Sequence, residues 1–153
     1  MRLRWTALTV LVLASLAPRI STAQRTPPQP STAKKGPVGG LNQNYPNPMN
    51  PETWIPFTVG DYPTCSQPGH SYTVSLRSYN TIHQLYAIPV LQRGTTGVAG
   101  GQQITKLSLT CGEYKAYWNG KFLNTQREAA SGIYPYELEV DGQRFVKKMM
   151  VSK

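Results

Sequence analysis

The sequence is poor in acids, in histidine and in cysteine. Its 153 residues carry seven Asp plus Glu against 16 Lys plus Arg, a formal net charge of +9, with two His, two Cys and only 15% charged residues. So few carboxylates and imidazoles leave little material for acid–base or metal chemistry. The only aspartates are Asp61 and Asp141, and His70 and His83 stand in unrelated surroundings. No nucleophile elbow, phosphate-binding glycine loop or metal-ligand cluster is visible. Glu137 and Glu139 alternate with apolar residues as a solvated strand face does, which is a poor basis for paired-carboxylate hydrolysis. The expectation is a chain without chemistry of its own, without cofactor and without metal. The low charge also excludes a coiled coil, and 13 Gly with 13 Pro are too many for a helical bundle. The length suits one core of ordinary size.

What is present begins with an export address. Arg2 and Arg4 precede an apolar run from Trp5 to Ala17, and Ser21-Thr22-Ala23 has the small-x-small form of a cleavage site. The run is short of the roughly 20 residues a membrane-spanning helix needs. Residues 1–23 therefore read as a signal peptide cut after Ala23, whose loss removes Arg2, Arg4 and Arg19 from the positive charge. An exported chain meets an oxidising compartment, so Cys65 and Cys111 are expected to form one disulfide, worth about 4 kcal/mol by loop entropy. A metal site is the alternative, but the two cysteines and two histidines show none of the tight spacings of zinc sites. Residues 24–40 are rich in Pro and Gly, carry Lys34 and Lys35 and have almost nothing apolar to bury, and read as a linker.

From Leu41 onward, short alternating apolar runs are separated by Gly, Asn and Pro, the pattern of strands. The expected strands are Thr53–Val59, Ser71–Tyr79, Leu85–Leu91, Ile104–Cys111, Tyr114–Asn119, Gly132–Val140 and Gln143–Val151. Seven strands predict an all-β antiparallel sandwich. Tyr72, Val74 and Leu76 share one face, as do Leu107, Leu109 and Cys111. Asp141-Gly142 is the pair a two-residue type I′ hairpin turn prefers, which sets Leu138 opposite Phe145, Tyr134 opposite Met149 and Glu139 opposite Arg144. Pro135 inside this hairpin should face away from a ladder partner or sit in a bulge. Lys147 and Lys148 alternate faces, so at least one can guard an edge. The nine tyrosines follow strand alternation and the basic residues are scattered. Neither a stacking platform nor a phosphate stripe is evident, and no nucleic-acid partner is expected.

The densest motif is Leu41-Asn42-Gln43-Asn44-Tyr45-Pro46-Asn47-Pro48-Met49-Asn50-Pro51, where three prolines predict a stiff, polyproline-like approach to the first strand. With the continuation to Val59 it resembles the opening of the Ig-like domain at the C-termini of type IX secretion cargo, related to the Ig-like domain of the flagellar hook-capping protein FlgD. The resemblance continues through Val74–Leu85, Trp118-Asn119-Gly120, Ala130-Ser131-Gly132-Ile133-Tyr134-Pro135-Tyr136 and the terminal Arg144–Val151. It covers residues 41–153 and implies an Ig-like β-sandwich that serves as a sorting signal read by outer-membrane secretion machinery. Arg144, Lys147, Lys148 and Lys153 in and after the last hairpin are the candidate recognition residues, by edge pairing and electrostatics. Asn44, Tyr45, Pro46, Asn47, Pro48, Asn50, Pro51, Trp118, Gly120, Ser131, Gly132 and Tyr134 are the structural motif. Met49 stands where an aromatic is usual and Asn119 where an acid is usual; the cysteine pair lies outside the usual pattern, and Arg93–Gln103 looks like an expanded loop.

A sorting domain normally follows a large cargo, and here a linker alone precedes it. The alternative is therefore a structural or binding module of the envelope that shares the fold, since fold alone does not define function. Either way the partner is a protein, and the location is the periplasm, the outer-membrane surface or the exterior. For the disulfide, alkylation without reductant should leave the intact mass unchanged; a mass increase of two adducts would mean two free thiols.

Overall fold

The structure, a computed structural model, describes residues 36–92 and 99–153. The signal segment 1–23, most of the linker and residues 93–98 of the glycine-rich loop lie outside these residues. Nine strands are present: β1 Gly39–Leu41, β2 Thr53–Val59, β3 Ser71–Tyr79, β4 Leu85–Ala87, β5 Val90–Leu91, β6 Leu107–Thr110, β7 Gly112–Trp118, β8 Gly132–Val140 and β9 Gln143–Val151. They form an Ig-like sandwich of two antiparallel sheets, one ordered β1-β2-β7-β5 and the other β4-β3-β8-β9 with β6 also paired to β3. The described residues hold no helix long and apolar enough to cross a membrane.

Alternation builds the core. Ile55, Phe57 and Val59 of β2 and Tyr114, Ala116 and Trp118 of β7 point inward from one sheet. Tyr72, Val74 and Leu76 of β3 meet them from the other, with Tyr134, Tyr136, Leu138 and Val140 of β8. Each buried Val, Leu, Ile or Phe among them contributes about 1.5–3 kcal/mol. The expected disulfide joins Cys65, in the connection from β2 to β3, to Cys111, at the turn from β6 to β7, 46 residues apart.

Nine strands rather than seven result from two differences. The expected strand Leu85–Leu91 divides, because Leu85 and Ala87 pair with β3 whereas Val90 and Leu91 pair with β7 in the opposite sheet. Pro89 lies between the halves and has no N–H for a ladder, so the chain changes sheet there. The second difference is β1, which pairs with Phe57–Val59. Gly39 and Gly40 have little strand propensity of their own, and the pairing is made by the free edge of β2. Val38 is buried too, so the linker ends before Val38 rather than at Gly40.

The last hairpin has the expected register, with Leu138 opposite Phe145, Tyr134 opposite Met149 and Glu139 opposite Arg144. Asp141 and Gly142 both take positive φ, 45° and 81°, as a type I′ turn requires. The Asp141 carboxylate also accepts the Thr73 N–H at 2.8 Å, tying the turn to β3. Pro135 stands one residue beyond the last β3–β8 pair, Ser78 with Tyr136, so its missing N–H interrupts no ladder on that side.

The proline-rich segment is not a polyproline rod. Tyr45 exchanges two backbone hydrogen bonds of 2.9 Å with Trp54, and Met49 forms a parallel bridge to Val151. The chain thus runs from the edge of one sheet to the edge of the other, captured by backbone groups that both edges leave free. Met49, which stands where an aromatic is usual, is fully buried. The arrangement needs Gly120: its φ is +74°, and a Cβ there would run into the Pro51 carbonyl oxygen. Gly120→Ala should therefore lower unfolding stability by roughly 1–3 kcal/mol, measured by urea titration, whereas Gly69→Ala, with open space around it, should cost less.

Candidate functional site

The motif residues, dispersed in sequence, meet in space. Asn44 is buried; its backbone N–H donates to the Tyr136 hydroxyl at 3.0 Å, and that hydroxyl donates to the Asn42 carbonyl at 2.9 Å. The Asn44 amide donates to the Pro46 carbonyl and to the Thr53 hydroxyl, while Gln43 donates to its oxygen at 2.7 Å. Burial pushes the Tyr136 hydroxyl above its ordinary pKa. Trp118 donates its indole N–H to the Lys121 carbonyl at 2.9 Å and packs with Tyr134 and Tyr86. Tyr134 bonds back to the carbonyl of Ala130 at 3.1 Å, in the manner of a tyrosine corner. Asn50, Pro51, Gly120 and the last residues of the chain border a cavity of about 340 Å³. The Ser131 hydroxyl accepts the Lys153 backbone N–H, and Gly132 opens β8 opposite Val151.

The four candidate recognition residues are not equivalent. Lys153 holds Glu128 through an ion pair of 2.8 Å, and that hydrogen bond keeps the Glu128 carboxyl below its ordinary pKa. Arg144 lies 3.9 Å from Glu137 and 3.7 Å from Glu139, and Glu139 also pairs with Arg77 at 3.6 Å. Lys147 and Lys148 make no ion pair among the described residues. Alternation turns Lys147 toward the inner side, opposite Tyr136, and Lys148 outward, opposite Pro135. Lys148 borders a cleft of about 240 Å³ with Asn47, Pro48, Ile133 and Met150. Ile133, Val146 and Met150 are 48%, 59% and 48% exposed, so the outer face of the hairpin is apolar between its charges.

Capture along the edge of β9 needs correction for its C-terminal part. Met150 gives its carbonyl to the Met49 N–H and its N–H to the Asn47 side chain, at 2.8 and 2.9 Å. Ser152 donates to the Met49 carbonyl and Gln43 donates to the Lys148 carbonyl. The edge beside the lysines is thus already occupied, because the proline-rich segment lies along it. Arg144 and Val146, toward the turn, have edge groups without such partners among the described residues.

Sequence reasoning missed a row of aromatic side chains on the outer face of the other sheet. Tyr45 neighbours Trp54 and Trp54 neighbours Tyr117, with ring centroids 6.1 and 5.8 Å apart. The available signal was parity: positions 54 and 117 fall on the outward side of β2 and β7, where polar residues are the rule.

No protein-family model matches the chain, and no curated protein matches it. Among solved structures it is similar to a Pseudomonas fluorescens alkylpurine DNA glycosylase, AlkC, bound to DNA containing an abasic site analogue. The identity is 15% and the TM-score 0.41, over 77% of this chain and 31% of that one. That chain is an enzyme holding DNA, so the expectations of a chain without chemistry and without a nucleic-acid partner are withdrawn. A TM-score of 0.41 carries no activity, site or ligand across to this chain.

Three tyrosines give the site a pH signature. The Glu52 carboxylate raises the pKa of Tyr117 through a hydrogen bond, and burial raises those of Tyr134 and Tyr136. From the ordinary value of about 10 up to the raised values, the folded chain holds more protons than the unfolded one, so stability falls as pH rises through that window. Tyr136→Phe should flatten this alkaline decline and cost about 1–3 kcal/mol at neutral pH, since Asn44 N–H and Asn42 C=O lose their partner; denaturant titrations at several pH values measure both.

Proposed function

We propose that this chain is an exported Ig-like domain of the sorting-signal type, recognised at its terminal hairpin by a protein of the export machinery. The observation that carries the reading is the joining of the resemblance's first and last pieces. Asn47 and Met49 from the opening motif are hydrogen-bonded to Met150 and Ser152 at the chain's end. The cleft beside Lys148, Ile133 and Met150 takes its other wall from Asn47 and Pro48. That surface exists only when residues about a hundred positions apart have come together, so a reader touching it responds to the folded domain and not to an unfolded chain.

A second reading, an envelope-retained structural or binding module, is favoured by the filled edge of β9. Lys153 is engaged by both Glu128 and Ser131, and the adjoining edge is filled. An edge already filled leaves less backbone free for capture by a passing export protein.

The two readings separate in a host that possesses a type IX translocon. Lys148→Glu combined with Val146→Ser alters the outer face without touching the core. With circular dichroism and melting unchanged, the sorting reading expects the variant to accumulate in the periplasm while the parent reaches the surface. Unchanged delivery counts against the hairpin face as the signal. Recovery of the parent intact and uncleaved on an envelope protein supports the second reading.

A further inference from the structure

The sheet opposite β8–β9 carries a feature that sorting does not use. Tyr45, Trp54, Tyr117 and Val90 are consecutive neighbours on one rung across the sheet, through the Tyr45–Trp54 bridge and the pairs of Trp54 and Val90 with Tyr117. Tyr45 is 44% exposed, and Trp54 and Tyr117 are half-buried outside the core. An outer sheet face ordinarily carries polar side chains, so three aromatic rings in register there are unaccounted for by packing of the sandwich.

Polar groups stand at both sides of the row. The Tyr117 hydroxyl donates to Glu52 at 2.5 Å, which holds that carboxylate beside the Tyr117 end of the row. Lys115 sets its ammonium 5.5 Å from the centre of the Tyr45 ring. We propose that this row is a binding platform for an uncharged oligosaccharide. Indole and phenol faces attract the polarised C–H face of a sugar ring, and they do so at little entropic cost because paired strands already hold them. Glu52 supplies an acceptor and Lys115 a donor for the hydroxyls at the rim of that sugar.

The charge balance selects the ligand. A single-stranded nucleic acid stacks on aromatic rings as well, but it needs cations tracking its phosphates. Among the described residues one ammonium, that of Lys115, lies against the rings and one carboxylate, that of Glu52, is hydrogen-bonded to them, so the row is close to neutral. A neutral glycan fits that balance and a polyanion does not.

The test is native affinity electrophoresis of the purified protein in gels containing hydroxyethyl cellulose, galactomannan or laminarin. Retardation by at least one polysaccharide is expected, weakened about tenfold or more in Trp54→Ala and Tyr117→Ala, and less in Trp54→Phe. Tyr45→Ala, at the exposed end of the row, serves if Trp54→Ala unfolds. Melting curves of each variant separate loss of the platform from loss of the fold. The proposal is overturned by migration unaffected in all three gels, by equal retardation of the folded ring variants, or by an oligothymidylate that binds while the polysaccharides do not. None of these outcomes bears on the hairpin, which lies on the other sheet.

Discussion

The parallel bridge between Met49 and Val151 is the contact on which the arrangement of the proline-rich segment against β9 depends. Two backbone hydrogen bonds, each worth about 1 kcal/mol net, close it, and burial of the Met49 side chain adds about 1.5–3 kcal/mol. These are modest energies, yet the bridge sets where the proline-rich segment crosses between sheets. It thereby occupies the end of β9, places Asn47 and Pro48 beside Lys148, and brings Pro51 so close to Gly120 that no side chain fits there. The Tyr136 hydroxyl completes the same construction from within, since it satisfies both the Asn44 N–H and the Asn42 carbonyl where the segment leaves β1.

The outer faces of the two sheets differ in chemistry. On the face of β3, β8 and β9, Arg77, Glu139, Arg144 and Glu137 form a chain of ion pairs. Partly exposed pairs of this kind contribute about 0–1 kcal/mol each, so their consequence is less stability than the assignment of charge: they consume Arg144 and leave Lys148. On the face of β2 and β7 the aromatic row is nearly balanced by one acid and one base. A molecule attracted by positive charge and one attracted by aromatic surface would therefore meet opposite sides of the sandwich.

Alternation of apolar residues made four strands legible to the residue: Thr53–Val59, Ser71–Tyr79, Gly132–Val140 and Gln143–Val151. Each is long and buries one face, so local pattern and tertiary environment agree. Asp141-Gly142 likewise carried its turn, because few residues accept two successive positive φ angles. The failures fall where strand formation depends on a neighbour. Gly39–Leu41 pairs only because β2 offers an edge, and Leu85–Leu91 divides because each half finds a different sheet. Lys153 looked available in sequence, and its partner Glu128 is close only after folding.

The sequence by itself determined the all-β class, the register of the final hairpin and the cysteine pair. These follow from periodicity, from the backbone angles a residue tolerates, and from there being two cysteines to join. Tertiary structure alone decided which basic residues of the hairpin are ion-paired, that the C-terminal part of the β9 edge is covered, and that Tyr45, Trp54 and Tyr117 form one row. Each of those depends on residues distant in sequence arriving at one place, and no local pattern encodes the distance between side chains on separate strands.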